Sequence, residues 1–222
     1  MVERLIRVRL AASTPWHRVQ AVGRRAQADL EAELALVQSG GEVDREPIEA
    51  SLERLLLLIG ADGVMVPFRP QAGSPKGATV WREVKVAVLA RLGARRNRFG
   101  RTVTTLRQRR LVAVLGDIDQ LAVGLRQAAL AIHRQPENRH IMLRVSAFLD
   151  RHRTHLGYPA LKADDLPLGS GFVESAVKWL IQQRFKGVGM RWSQDGFNHL
   201  LLLRLAWANG HFDALFAPSP IL

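Results

Sequence analysis

An α/β fold is predicted by three features: an apolar run from Leu55 to Val66, a strict alternation inside residues 79–89, and a change to helical spacing after Gly116. In the alternating stretch Val84, Val86 and Val88 fall on one face and Glu83 and Lys85 on the other. That is the pattern of a half-buried strand, whose successive side chains point to opposite sides. The run at 55–66 is apolar apart from Gly60, Gly63 and Asp62, and reads as a buried strand interrupted by one carboxylate. Residues 111–115 are a third candidate strand. With 70–77 and 91–105 as intervening loops, the latter including part of a neighbouring strand, the three strands suggest a meander.

The helices follow from caps and periodicity. Ser13 or Thr14 can accept from the first free N–H groups and Pro15 fits the first turn, so a helix is expected from there to about Gln38, broken by Gly40-Gly41. A short helix is expected over 47–57. After Gly116 the helical stretches are 119–132, 138–155, one opened by Gly169-Ser170-Gly171, and one from near Ser193 to Asn209-Gly210. The polar residues 133–137 join the first two. The organisation expected is a helical segment over 1–50, a main domain over 51–216 and a tail at 217–222.

The chain has 222 residues, 47% hydrophobic and 23% charged, the composition of a folded protein with one substantial core. Thirty-two Lys and Arg against 20 Asp and Glu give a net charge of +12, a field that attracts polyanions and makes nucleic acid the leading partner. The competing explanation is GC-rich coding, which favours Arg without any ligand. Clustering is therefore the better guide, and the basic runs are 24–25, 95–101, 107–110 and 151–153. The absence of Cys excludes disulfides, Cys-ligated zinc and thiol nucleophiles. Residues 1–10 mix charges with apolar residues, and no run approaches the roughly 20 apolar residues of a membrane span, so the expected location is the cytoplasm.

Two carboxylates stand out chemically. Asp62 lies within apolar text, where an ionised acid needs a cation, several hydrogen bonds or a raised pKa; Asp62-Gly63 is equally a hairpin-turn dipeptide. Glu174 follows the bend Gly169-Ser170-Gly171 in the first turn of a helix whose apolar stripe is Val173, Val177, Leu180 and Ile181, which puts it at the stripe's edge. The plain alternative is an acid placed favourably at a helix N-terminus. Brought together, two or three such acids can hold a pair of Mg²⁺ ions and support phosphodiester displacement.

Four blocks of the chain resemble the transposases of the ISKra group of bacterial insertion sequences, a DDE-type family. They are 62–67 with 81–86, 111–117, 166–178 and 183–193, and the last two, nearly continuous, are the most specific. The resemblance extends from about Ala12 to Phe216 and implies an RNase H-like, DDE integrase-type domain, incomplete, with three main strands and several packed helices. By this resemblance Asp62 is the first catalytic aspartate and Glu174 the final glutamate, both ligands of Mg²⁺ or Mn²⁺. Lys178, Arg184, Lys186 and Arg191 are the candidates for DNA contact. The alternative for 186–192 is a glycine-rich turn with Trp192 packed in the core. The implied partners are the element's DNA ends and target, and a homo-oligomer or a hetero-oligomer with full-length transposase.

Members of the group continue after the helix corresponding to 119–131 into a strand bearing a catalytic Asp-Gly. Here residues 131–138 lead straight toward the glutamate block, which implies an internal deletion and the loss of the second aspartate. Asp117 and Asp119 belong to an upstream block and do not replace it. Members also carry an upstream region, often with Cys pairs, so the resemblance implies a truncated as well as an internally deleted product. The expectation is a transposase with little or no strand transfer, set against a non-catalytic DNA-binding or subunit-binding fragment that interferes with the full-length enzyme. A small transcriptional regulator using the N-terminal helices ranks last, because no recognition-helix signature appears.

Overall fold

A computed structural model describes residues 13–44, 46–47, 49–53, 55, 57–70, 77–132 and 171–216. The elements are α1 (Ser13–Gln38), α2 (Ala50–Glu53), β1 (Leu57–Phe68), β2 (Val80–Arg96), β3 (Thr102–Val114), α3 (Ile118–Ala131), α4 (Gly171–Val177), a π-helical turn (Lys178–Gln182), α5 (Gln183–Phe185), α6 (Gln194–Asn209) and a 3₁₀ turn (Asp213–Phe216). The helix expected at 138–155, the junction 133–137 with the inferred deletion, Gly169-Ser170, the segment 1–10 and the tail 217–222 lie outside the described residues.

The three strands form one antiparallel sheet in the order β1-β2-β3, the meander expected from the sequence. Alternation sorts its side chains into two cores. Val64, Val66 and Phe68 of β1, with Val84, Val86 and Val88 of β2, face the helical run 171–185 and α6, burying against Val173, Val177, Leu180, Phe185 and Phe197. The opposite face, with Ala87 and Leu89, packs under Leu121, Leu125 and Ala129 of α3. The sheet is therefore the middle layer of three. Helix α1 lies across α6 and α3, and a Cβ on its Gly23 would collide with His199 of α6.

Caps end the helices where the sequence marks them. Asp117 and Gln120 form a reciprocal capping box at the start of α3, and the Ser193 hydroxyl accepts from Gly196 N at 3.2 Å to start α6. The short helix expected over 47–57 shrinks to a single turn, because Leu57 onward is drawn into pairing with β2 (Leu57↔Arg91).

The loop expected at 91–105 is largely strand. β2 runs on to Arg96 and β3 begins at Thr102, joined by a tight turn in which Asn97 N donates to Arg101 O at 2.9 Å and Gly100 adopts φ +74. One irregularity marks the root of this extension. The register slips between Leu89 and Arg91, and Gln108 opposite adopts φ +43, uncommon for a residue with a side chain.

Arg91 pins that bulge. Its Nε donates to Gln108 Oε1 at 3.0 Å, Nη1 to the carbonyls of Glu53 and Leu55 at 3.2 Å each, and Nη2 to Ile132 O at 3.0 Å. The side chain is 1% exposed, and burial pulls its pKa down while Glu53 opposes that shift. One guanidinium thus ties the end of α2, the end of α3 and the bulge together.

The other face has a matching device. A π turn widens the helix at Lys178–Gln182 and loosens its carbonyl ladder. Arg204 of α6 reaches across and donates to Leu180 O and Trp179 O, each at 3.1 Å. Beside it Trp179 stacks on Trp207 at 5.4 Å.

Candidate functional site

Asp62 is not in a turn. It sits in the middle of β1, opposite Val86, and a one-residue alternation puts it on the face that carries Gly60, Val64 and Val66. That face is covered by the run 171–185. The cover is thin at Asp62, which is exposed, and its Oδ1 accepts from Gly63 N at 2.8 Å. The strand has an outer edge here because β1 is terminal in the sheet among the described residues.

Helix α4 is laid directly on β1 next to Asp62. The Phe172 ring rests over Gly60, where any Cβ would collide with it, so the glycine two residues before Asp62 sets how closely helix and strand approach. Val173, Ala176 and Val177 point inward, and Glu174, exposed in the first turn, falls on the flank of that buried stripe. The fold therefore brings the strand carrying Asp62 and the helix carrying Glu174 to one seam. Glu83, the acid nearest in β2, lies on the other face, where its carboxylate covers Gly63.

Two bridged Mg²⁺ ions need flanking and bridging carboxylates together. Among the described residues no group of three or more His, Asp or Glu stands close enough to hold a metal ion. Among the described residues, Asp62 and Glu174 fall short of that donor set.

The four predicted contact residues distribute along the same helical run and the turn after it. Lys178, at the start of the π turn, and Arg184 are exposed. Arg184 stands near Arg204, whose pKa is lowered first by burial and then by the Arg184 charge. Lys186 and Arg191 belong to a turn that wraps round the far end of β1: Trp192 N donates to Pro67 O at 3.2 Å, and Arg69 N donates to Trp192 O at 2.8 Å. Trp192 itself is half-buried, its Nε1 donating to Phe185 O at 3.0 Å, as the packing alternative expected.

This turn and the start of β2 enclose an open pocket of ≈ 460 Å³ lined by Pro67, Trp81, Lys186, Val188, Met190 and Arg191. Lys186 Nζ lies 5.7 Å from the centre of the Trp81 ring, and Arg191 Nη1 donates to Ala78 O at 3.3 Å. Trp81 is 53% exposed. An exposed indole flanked by two cations is a platform for a base or a phosphate. Pro67 is five residues from Asp62, about 17 Å along the strand, and faces the other side of the sheet. Lys186 and Arg191 thus form a second site and do not complete the carboxylate seam.

A larger pocket, of ≈ 670 Å³, lies between α1, α3, β3 and α6. Polar groups in it already serve one another: Arg110 pairs with Glu46, and Gln127 Nε2 donates to Glu33 at 2.7 Å. Burial, partly offset by that hydrogen bond, raises the Glu33 pKa. It reads as a seam between packed helices.

Sequence reasoning passed over Trp81 as a functional side chain. The signal was present, since Trp81 shares the polar register of Glu83 and Lys85 and so had to face away from the buried valines. Set against protein-family models, curated proteins and solved structures, the chain finds no match in any of the three comparisons.

Proposed function

We propose that this chain is a DNA-contacting, RNase H-like core of the insertion-sequence transposase type, in which phosphodiester cleavage and strand transfer are crippled. The observation that carries the reading is the seam itself: Asp62 in mid-strand on β1, two residues from Gly60, over which lies Phe172 of the helix whose first turn bears Glu174. A three-stranded antiparallel meander with helices on both faces is compatible with that reading. The crippled chemistry rests on the second aspartate that the resemblance implies is lost, and among the described residues no third acid joins these two to flank and bridge a pair of Mg²⁺ or Mn²⁺ ions. What the chain retains is contact with DNA, through Lys186, Arg191 and Trp81 at the far end of β1 and through Lys178 and Arg184 along the helix. A product that binds the element's DNA without cutting it would compete with the complete enzyme.

The test pairs two assays on the full chain. Labelled duplex DNA is titrated between low and moderate salt, and supercoiled plasmid is incubated with Mg²⁺ or Mn²⁺. Expected are duplex binding that weakens steeply with salt and nicking no greater than that of Asp62→Ala/Glu174→Ala. Salt-independent binding would remove the DNA-contact reading. Nicking that disappears in the double variant would restore a working catalytic centre and overturn the claim of a crippled one.

A further inference from the structure

The β2–β3 hairpin continues past the rest of the sheet. β1 stops pairing at Arg91, and five further pairs, from Leu92↔Leu106 to Arg96↔Thr102, have no third described strand beside them. They make a two-stranded arm about 17 Å long. Its tip is built. Asn97 Oδ1 accepts from Phe99 N at 2.9 Å and from Arg101 N at 3.0 Å, and Gly100 N donates to Asn97 O at 3.0 Å.

The arm carries cations on both faces and at its end. Arg95 and Arg107 share one face, with the Arg107 side chain lying across Gly93, while Arg96 points to the other. Arg98 and Arg101 flank the tip, where Phe99 is 70% exposed and the Arg98 guanidinium lies 4.7 Å from its ring centre. No acidic residue occurs between Glu83 and Asp117. Phe99 is thus held out in solvent against Arg98, and among the described residues no acid pairs with the arginines of the arm.

We infer that this arm is a DNA-binding element that enters the major groove of a B-form duplex tip first. The groove, about 12 Å wide, admits a two-stranded ribbon, whereas the minor groove, about 6 Å wide, and the deep, narrow major groove of A-form RNA do not. Tip-first entry explains the two-sided charge: Arg95 and Arg107 meet one phosphate wall, Arg96 the other, and Phe99 reaches the base edges. The inference goes beyond the function proposed above, because it stands on the arm's own charge and shape and makes no use of the carboxylates or the Lys186 turn.

The full chain and the variant Arg95→Gln/Arg96→Gln/Arg107→Gln are titrated against a labelled 20-bp duplex by fluorescence anisotropy at several NaCl concentrations, with thermal melting as a check on folding. For three lost phosphate contacts the slope of log K against log[NaCl] should become shallower by about 2.7, and affinity should fall at least tenfold near 0.15 M salt, as roughly 0.9 per contact predicts. Arg→Lys at the same three positions, which keeps the charges, should restore the slope. Phe99→Ala should weaken binding and leave the slope unchanged. If the Gln variant melts normally and keeps the original slope, the arm is not the interface, while DNA binding through the Lys186 turn survives as a reading. No duplex binding by the unaltered chain at any salt removes both. Binding to phosphatidylserine vesicles that the Gln substitutions abolish, with no binding to duplex, assigns the arm to an anionic membrane and overturns the inference.

Discussion

Replacing Arg91 by Met removes a charged donor that serves four acceptors and leaves an apolar side chain of similar length in its place. The bond to Ile132 O is buried, and its loss costs the full desolvation of a carbonyl, about 2 kcal/mol. The acceptors at Glu53, Leu55 and Gln108 are only part-buried and can recover water, so together they add about 2 kcal/mol more. Against this stands the release of a guanidinium from a site that already lowers its pKa by burial, a gain of about 1 kcal/mol, since uncharged replacements recover part of the cost of burying a charge. The net is a loss of about 3 kcal/mol. For a chain of this length that lowers the thermal midpoint by roughly 6–12 °C. The assay is circular dichroism on heating, with Arg91→Lys alongside, because one ammonium cannot span acceptors that diverge over two helix ends and a bulge. Lys should recover less than half of the loss. A midpoint within about 2 °C of the original in either variant would refute the view that Arg91 holds the root of the arm.

Asn209→Leu should destabilise by about 2 kcal/mol, read from urea midpoints, because the Asn209 amide accepts from Leu111 N and donates to Leu111 O, each at 2.9 Å, closing the outer edge of β3 as another strand would; a loss below 0.5 kcal/mol would contradict this. Stability should also fall as pH drops below about 6.5. Burial holds the His199 pKa below 6.5, with Arg24 adding to and Asp195 opposing the shift, and burial and Arg110 do the same to His211. The unfolded chain then takes up protons before the native one, so the loss runs from about pH 6.5 down to the native values, at no more than about 1.4 kcal/mol per pH unit for His199, with the more exposed His211 adding little because solvent screens it. His199→Gln should remove part of that slope, and a midpoint that rises on acidification would contradict the assignment.

Elements whose signals are local were legible in the sequence. The Ser13 start of α1, the helical stretch 119–132 of α3, the start of α6 near Ser193 and the Val84-Val86-Val88 face are each set within a few residues. The arm was not, because Leu92↔Leu106 and Ala94↔Thr104 pair stretches without apolar alternation, and only the Asn97–Arg101 turn and the bulge at Gln108 fix their register. Asp62 shows the same division. Its sequence allows a turn or a strand, and the choice is made by Val86, 24 positions away, which pairs with it. Arg91 reads in sequence as one more member of a basic stretch; its burial depends on carbonyls arriving from α2 and α3, which no local pattern announces.

The placement of charge bears on whether Arg-rich coding alone explains the composition. Coding bias would scatter arginine over all surfaces alike. Instead residues 84–116 hold Lys85 and eight arginines (91, 95, 96, 98, 101, 107, 109 and 110) and no acid, a local excess of +9 out of the chain's +12. Three of these nine have structural work: Arg91 is the clamp, Arg110 pairs with Glu46, and Lys85 pairs with Glu83. The others, Arg109 near Trp179 apart, sit on the arm, exposed and close enough to repel one another. Like charges held within one hairpin cost stability in the free protein. That cost would be recovered on binding a polyanion, so the clustering of charge on an arm with a hydrogen-bonded tip argues against composition alone and agrees with the duplex contact proposed for it.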